Sequence, residues 1–387
     1  MSDEVPQRPL AVLVGNGLSI AFNSQLNLAS ITKEMISRME AASEDGDKVV
    51  HAMNKIARRA VSDGEVTDED FEKLVGAFDS QVLTLDELGK LADLVEREDT
   101  ELQKSIQDVT DFSQRVRDTG ISYVLQVIME RSYGNWTRDA EMHQLVRAII
   151  DNFGAIYIGN LNYDTLLLSA LQAVGAPMSD MGTGYSPFQV RVKDVDDPND
   201  NGVPYVVQRL RTTSDFPTVP KYRVRLLHLH GSLTYWRSTE HELHFKAPID
   251  MLRNHNLWAG LREGKPKYRP AVVLANQRDK AHHVGRYPFK LAYEVFENGL
   301  RNSDHWLVIG YSFRDTCVND ILRNEFIRRK DKPRVLVSTY GDALETEDVE
   351  RAFGWGAEDP DSRSWLTINR DGAAGLEKSF DWSMFTW

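Results

Sequence analysis

Six short apolar runs constrain this chain more than any other feature: LAVLV at 10–14, AIYI at 155–158, RVRLLHL at 223–229, AVVLA at 271–275, WLVI at 306–309 and RVLVS at 334–338. Each is four to seven residues long and rich in branched aliphatics. Apart from the Arg-Val-Arg-Leu start of RVRLLHL, they do not alternate apolar with polar as a half-exposed strand would, so they read as buried strands. Helical patterns lie between them, including YDTLLLSALQAV, FKLAYEVFENGLRNS and TCVNDILRNEFIRRK. Strands alternating with helices predict an α/β fold, a Rossmann-like parallel sheet covered on both faces.

The regular alternation is interrupted twice. From about residue 31 to 153 the chain is charged and helical, with apolar residues at three-to-four spacing in ITKEMISRMEAAS, DKVVHAMNKIARRAV, TDEDFEKLVGAF and LTLDELGKLADLVERE. TDED before Phe71 and TLDE before Leu88 have the composition of helix starts. Residues 175–221 hold Gly, Pro, Ser and Asp in quantity and predict loops with a hairpin. The expected division is therefore a discontinuous α/β domain (1–30 and 154–345), a helical insertion (31–153) and a C-terminal helical, aromatic tail (346–387).

Composition excludes several classes. A net charge of −12 over 387 residues argues against a nucleic-acid grip spread over the whole surface. The most basic stretch, 205–225, reads best as one hydrated hairpin face. A single cysteine, Cys317, rules out an internal disulfide and a four-cysteine zinc module. It falls inside a helical pattern and is expected to be a small packed residue. The first apolar run is too short for a signal peptide or a membrane span, so a soluble, cytoplasmic protein without a membrane contact is expected.

Four loops follow strand ends, where a doubly wound sheet binds its ligand. In GNGLS, Gly15 and Gly17 would let backbone approach a phosphate, Asn16 lies between them, and Ser19 could add a hydroxyl. Ile20 stands where a dehydrogenase fingerprint needs its third glycine. In IGNLNYDTLL, Asn160, Asn162 and Asp164 could bond a ribose or a carboxamide, or could cap the next helix. In LLHLHGSLTYW, His230 precedes Gly231 at a strand end, where an imidazole can act as a general base and the glycine is expected beside the ligand; His228 would lie deeper, as a core histidine. No third metal ligand of suitable spacing accompanies the pair, and no metal site is expected. In VIGYSFRDTCVNDIL, Gly310 permits close backbone approach, Ser312 can bond a ribose or phosphate, and Arg314 and Asp315 either contact a ligand or start a helix.

Taken in order, GNGLS, NLNYD, LHGS and GYSF resemble the sirtuin fold in its prokaryotic, SIR2-like form. The resemblance implies NAD+ as the ligand, consumed as a substrate. It implies Gly15, Gly17 and Ser19 at the diphosphate, Asn162 at the nicotinamide ribose and Asp164 at the carboxamide. His230 corresponds to the catalytic histidine, and Gly310 and Ser312 to the adenosine-side turn. Sirtuin deacetylases also carry four zinc-binding cysteines that shape the acyl-lysine groove. One cysteine cannot build that module, so deacetylation is not expected. What remains is cleavage of NAD+ to nicotinamide and ADP-ribose. SIR2-like proteins of this kind serve in antiphage defence, some with a HerA-like ATPase, others with a short Argonaute or a phage protein. A homo-oligomer or a separate partner chain is therefore expected, with the helical section and FDWSMFTW as assembly surfaces and nucleic acid reached only through a partner. Competing readings are a non-catalytic NAD or ADP-ribose sensor, an ADP-ribosyltransferase and a nuclease component.

Overall fold

The computed structural model describes residues 8–42, 48, 50–51, 53–55, 71–95, 100–134, 139–197, 199–216, 222–264, 266–274, 277–356 and 358–387. Seven strands form one sheet: β1 (Leu10–Val14), β2 (Ile156–Asn160), β3 (Met178–Asp180), β6 (Val224–His228), β10 (His305–Ile309), β11 (Arg334–Ser338) and β12 (Leu366–Asn369). Their order is β12-β11-β10-β1-β2-β6-β3, and every pairing is parallel. Five further strands form a separate antiparallel sheet: β4 (Pro187–Val192), β5 (Val203–Arg209), β7 (Gly231–Ser238), β8 (His244–Lys246) and β9 (Tyr268–Val272), in the order β4-β5-β8-β7-β9. The helices are α1 (Asn16–Phe22), α2 (Leu28–Ala41), α3 (Phe71–Val95), α4 (Thr100–Gly134), α5 (Asp139–Asn152), α6 (Leu166–Ala173), α7 (Ile249–Leu252), α8 (His255–Arg262), α9 (Gln277–Val284), α10 (Phe289–Asn302), α11 (Thr316–Arg328), α12 (Thr346–Ala352) and α13 (Phe380–Thr386).

The parallel α/β sheet expected from the apolar runs is present. Alternation along β1 serves both of its faces: Leu10, Val12 and Val14 pack into one hydrophobic cluster, Ala11 and Leu13 into another. The first cluster also takes in Phe71, Leu74, Val75 and Phe78 of α3, Val124, Leu125 and Ile128 of α4, and Leu145 and Ile149 of α5. The helical section thus shares one continuous core with the sheet.

Several expectations are corrected. The described part of the run at 271–275, residues 271–274, is not in the parallel sheet; β9 ends at Val272 and pairs antiparallel with β7. Ala271, Val273 and Leu274 are buried, as residues of a parallel-sheet strand would be, so the apolar run could not separate the two placements. Thr84–Glu87 does not start a helix, because α3 continues through it; buried Phe78 and Val82 before it keep that stretch packed. The TDED start and most of DKVVHAMNKIARRAV lie outside the described residues. The C-terminal segment is more than a helical tail, since it supplies the edge strand β12. Within 175–221 the hairpin is β4–β5, and the short strand β3 joins the parallel sheet beside β6. No described helix is long and apolar enough to cross a membrane.

Candidate active site

Strand order reverses at β1. From there the chain builds β2, β6 and β3 on one side and returns to place β10, β11 and β12 on the other. Register brings the strand ends level: Val14 pairs with Ile309 and with Asn160, and Asn160 pairs with His228. The loops that leave those ends therefore meet at one topological switch point, where open α/β sheets bind ligands. A cavity of about 480 Å³ lies there, within the roughly 300–1,000 Å³ typical of small-molecule sites.

Gly15, Asn16, Gly17, Asn162, Asp164, His230, Gly310 and Ser312 all line this cavity, as do Arg314 and Asp315. Three residues expected at the ligand are not among the lining. Ser19 is 2% exposed and donates to Asp164 Oδ2 at 2.6 Å, so its hydroxyl is committed inside the protein. Asn160 accepts from the Asn162 backbone N–H and approaches His228 Nδ1 at 3.3 Å, which makes it part of the loop's frame. Gly231 has φ +87°, and a Cβ there would sit 2.2 Å from Ala271 O, so it is glycine for packing against β9.

The glycine turns interlock. A Cβ on Gly15 would stand 2.5 Å from Gly310 O, and one on Gly17 2.6 Å from Gly310 Cα. Gly310 itself has φ +61° and would push a Cβ to 2.3 Å from the Leu18 nitrogen. These glycines are thus required where β1 and β10 loops touch, whatever the cavity holds. The amide of Gly17 donates to Gly310 O and that of Leu18 to Gly15 O, so the first-turn amides expected at a phosphate are partly committed to the turn. Phe313 in the second loop also adopts a left-handed φ of 56°, a strained conformation for a bulky residue and one that concentrates at functional loops.

A hydrogen-bond frame orients Asn162. Its Nδ2 donates to Gly15 O (3.0 Å) and Ser19 Oγ (2.9 Å), leaving the acceptor Oδ1 to offer the cavity it lines. Asp164 accepts from the N–H of Leu166, the first residue of α6, at 2.9 Å and takes the Ser19 hydroxyl. Burial raises its pKa, while the Ser19 bond opposes that rise.

His230 is the centre of a charged cluster that its own sequence neighbourhood does not reveal. Its Nε2 lies 3.2 Å from Asp315 Oδ2 and 3.3 Å from the Tyr293 hydroxyl. Lys280, from α9, sits 2.8 Å from the same Asp315 oxygen and 4.0 Å from Glu72 of α3. Tyr163 donates to Glu72 Oε1 at 2.8 Å. Burial and the Lys280 charge lower the His230 pKa, with Asp315 pulling the other way, so the ring is neutral at neutral pH. Burial alone would raise Asp315, but His230 and Lys280 hold it well below the usual carboxylate range. Lys280 is the permanent cation of the three, so Asp315 remains ionised beside a neutral imidazole. That arrangement fixes Nε2–H as the donor to Asp315 and leaves Nδ1 as an acceptor. His228 is a core residue, 1% exposed, with burial lowering its pKa to about 4. Asp315 also caps α11 through Val318 N–H. Cys317 is half-buried and burial raises its thiol pKa, which suits a packed residue and not a nucleophile.

Of this cluster, Asp315 had a local signal as a helix start. Lys280, Glu72 and Tyr293 carry none: they come from three different helices and meet only in the folded chain.

A family model described as SIR2-like domain matches residues 157–355, which is 199 of the 387 residues. No curated protein matches the chain. The matched span carries the Asn162, His230 and Gly310 loops, while the β1 turn lies before it and joins them through the sheet.

Proposed function

The chain belongs to the SIR2-like domain family, which implies NAD binding, and from that premise we propose that it is an NAD+ glycohydrolase. The observation that carries the proposal is the convergence of Asn162, Asp164 and a neutral, carboxylate-oriented His230 on one cavity at the switch point.

The bond broken is the one between the ribose C1′ and the nicotinamide nitrogen. Nicotinamide leaves as a neutral base and the ribose passes through an oxocarbenium-like transition state. Asp164 accepts from the carboxamide N–H of the leaving group, since its two oxygens keep lone pairs beyond those used by Ser19 and Leu166. Asn162 Oδ1 accepts from a ribose hydroxyl or the attacking water. Water adds at C1′ and gives its proton to His230 Nδ1, while Asp315 stabilises the imidazolium formed, as a carboxylate does in a hydrolase triad. The proton then returns to solvent, so NAD+ and water give nicotinamide, ADP-ribose and one proton. Deacetylation is not proposed, because the single cysteine leaves no zinc module to shape an acyl-lysine groove.

The proposal extends to an effector role in antiphage defence, in a homo-oligomer or with a HerA-like ATPase or another defence protein. Its support is the family membership and the exposed face of α13 and the residue after it, where Phe380 (77%), Met384 (54%) and Trp387 (84%) lie open while Trp382 and Phe385 pack on Phe153.

The test is NAD+ consumption by the purified chain, alone and with the product of the neighbouring gene, following nicotinamide and ADP-ribose by chromatography. Wild type should release both, and His230→Ala and Asn162→Ala should each lose about 10²-fold or more in turnover. NAD+ bound tightly with no turnover under any condition would reduce the chain to a nucleotide-gated sensor.

A further inference from the structure

A dinucleotide brings a negative charge on each of its linking phosphates, and taking that charge out of water needs cations or amide donors. The turn after β1 supplies few. The amides of Gly17 and Leu18 donate to Gly310 O and Gly15 O, the Ser19 hydroxyl donates to Asp164, and α1 has only seven residues to carry a dipole. Three basic side chains line the cavity: Lys73, Lys280 and Arg314. Lys280 is engaged by Asp315 and Glu72, and Lys73 already has an interaction within the protein. Arg314 differs from both. Among the described residues, its guanidinium makes no hydrogen bond or ion pair.

Exposure alternates along the loop that follows β10: Tyr311, Phe313 and Asp315 are buried, while Ser312 and Arg314 are exposed at the cavity they line. Asp315 turns in to His230, 3.2 Å away, so its neighbour Arg314 enters the cavity next to the reacting centre without being used by the charged cluster. In a nicotinamide dinucleotide the phosphates nearest the reacting ribose are the linking pair. A 2′-phosphate, present only in NADP+, lies on the far adenosine ribose. We infer that Arg314, with the Ser312 hydroxyl of the same loop, neutralises the diphosphate of the substrate, an inference that rests on the NAD+ reading above. A guanidinium fork meets two phosphate oxygens at once, where an ammonium acts as a point charge. The β10 loop thus supplies the charge that the β1 turn lacks.

Calorimetric titration of the full chain with ADP-ribose, which carries the diphosphate and has no nicotinamide bond to cleave, tests the inference. Arg314→Gln should weaken ADP-ribose by about tenfold or more, and Arg314→Lys should recover part of that loss. Nicotinamide riboside, which has no phosphate, should change by less than about twofold, which separates a lost charge contact from a damaged cavity. In a His230→Ala background that blocks turnover, NAD+ and NADP+ should weaken by the same factor on Arg314→Gln. A larger loss for NADP+ would mean that the guanidinium reads the 2′-phosphate and would overturn the inference. ADP-ribose affinity unchanged by Arg314→Gln would overturn it too, while leaving the NAD+ reading intact. Wild type that binds neither ADP-ribose nor NAD+ at millimolar concentration would remove both.

Discussion

At the scale of single residues, the candidate site is decided by which atoms remain available after the fold has taken its share. Ser19 and Asn160 have the polarity of ligand-binding residues, yet both bond their neighbours and hold Asn162 and Asp164 in place. Asp315 and Lys280 act on His230 with opposite sign, and this gives a test that a merely structural role would fail. Asp315→Asn removes the carboxylate that favours the imidazolium, so the acid limb of the kcat/KM profile for NAD+ should move to lower pH, with turnover down about 10²-fold. Lys280→Met removes a nearby cation, so the same limb should move to higher pH. Gly310 offers a stability test. Gly310→Ala combines a left-handed φ with backbone contact at 2.3 Å and should cost ~2–3 kcal/mol or more in urea unfolding.

At the scale of elements, α3 is the piece whose contribution exceeds its local reading. Its first turn delivers Glu72 to the Lys280 cluster, while Phe71, Leu74 and Phe78 enter the core beneath the sheet. Because Phe71 is fully buried in a cluster continuous with β1, Phe71→Ala should cost ~3–5 kcal/mol and lower a single cooperative transition. Two separate transitions by circular dichroism and tryptophan fluorescence would show instead that the helical section unfolds by itself. The strand at β9 teaches the same lesson from the other side. Its apolar run announces burial, but burial beside β7 and burial beside β1 leave the same trace in composition.

At the scale of the whole molecule, three histidines outside the reaction control the response to acid. Burial lowers His228, His244 and His305 to about 4 from an ordinary value of 6.5. The unfolded chain therefore binds more protons than the native one between those values, so their contribution is complete above about pH 6.5 and is lost as pH falls toward about 4. Asp164, raised by burial, acts in the opposite direction with a single group. Asp180, held near 2 by Lys246 against the effect of burial, matters only below the ordinary carboxylate range. Urea midpoints measured from pH 7.5 to 4 should thus fall chiefly between 6.5 and 4. A midpoint flat to pH 4.5 would contradict the buried, neutral histidines.

The sequence by itself determined the parallel α/β class, most of its strands and the four loops that line the cavity. Apolar runs and glycine turns are local requirements, imposed on residues within a few positions of one another, so they can be read without the fold. The register that levels Val14, Asn160, His228 and Ile309 was decided only in three dimensions. So was the meeting of His230 with Asp315, Lys280, Tyr293 and Glu72. Those groups are far apart in the chain, and no propensity or spacing links them. Charge and hydrogen bonding act through space, so only the tertiary structure assigns their partners.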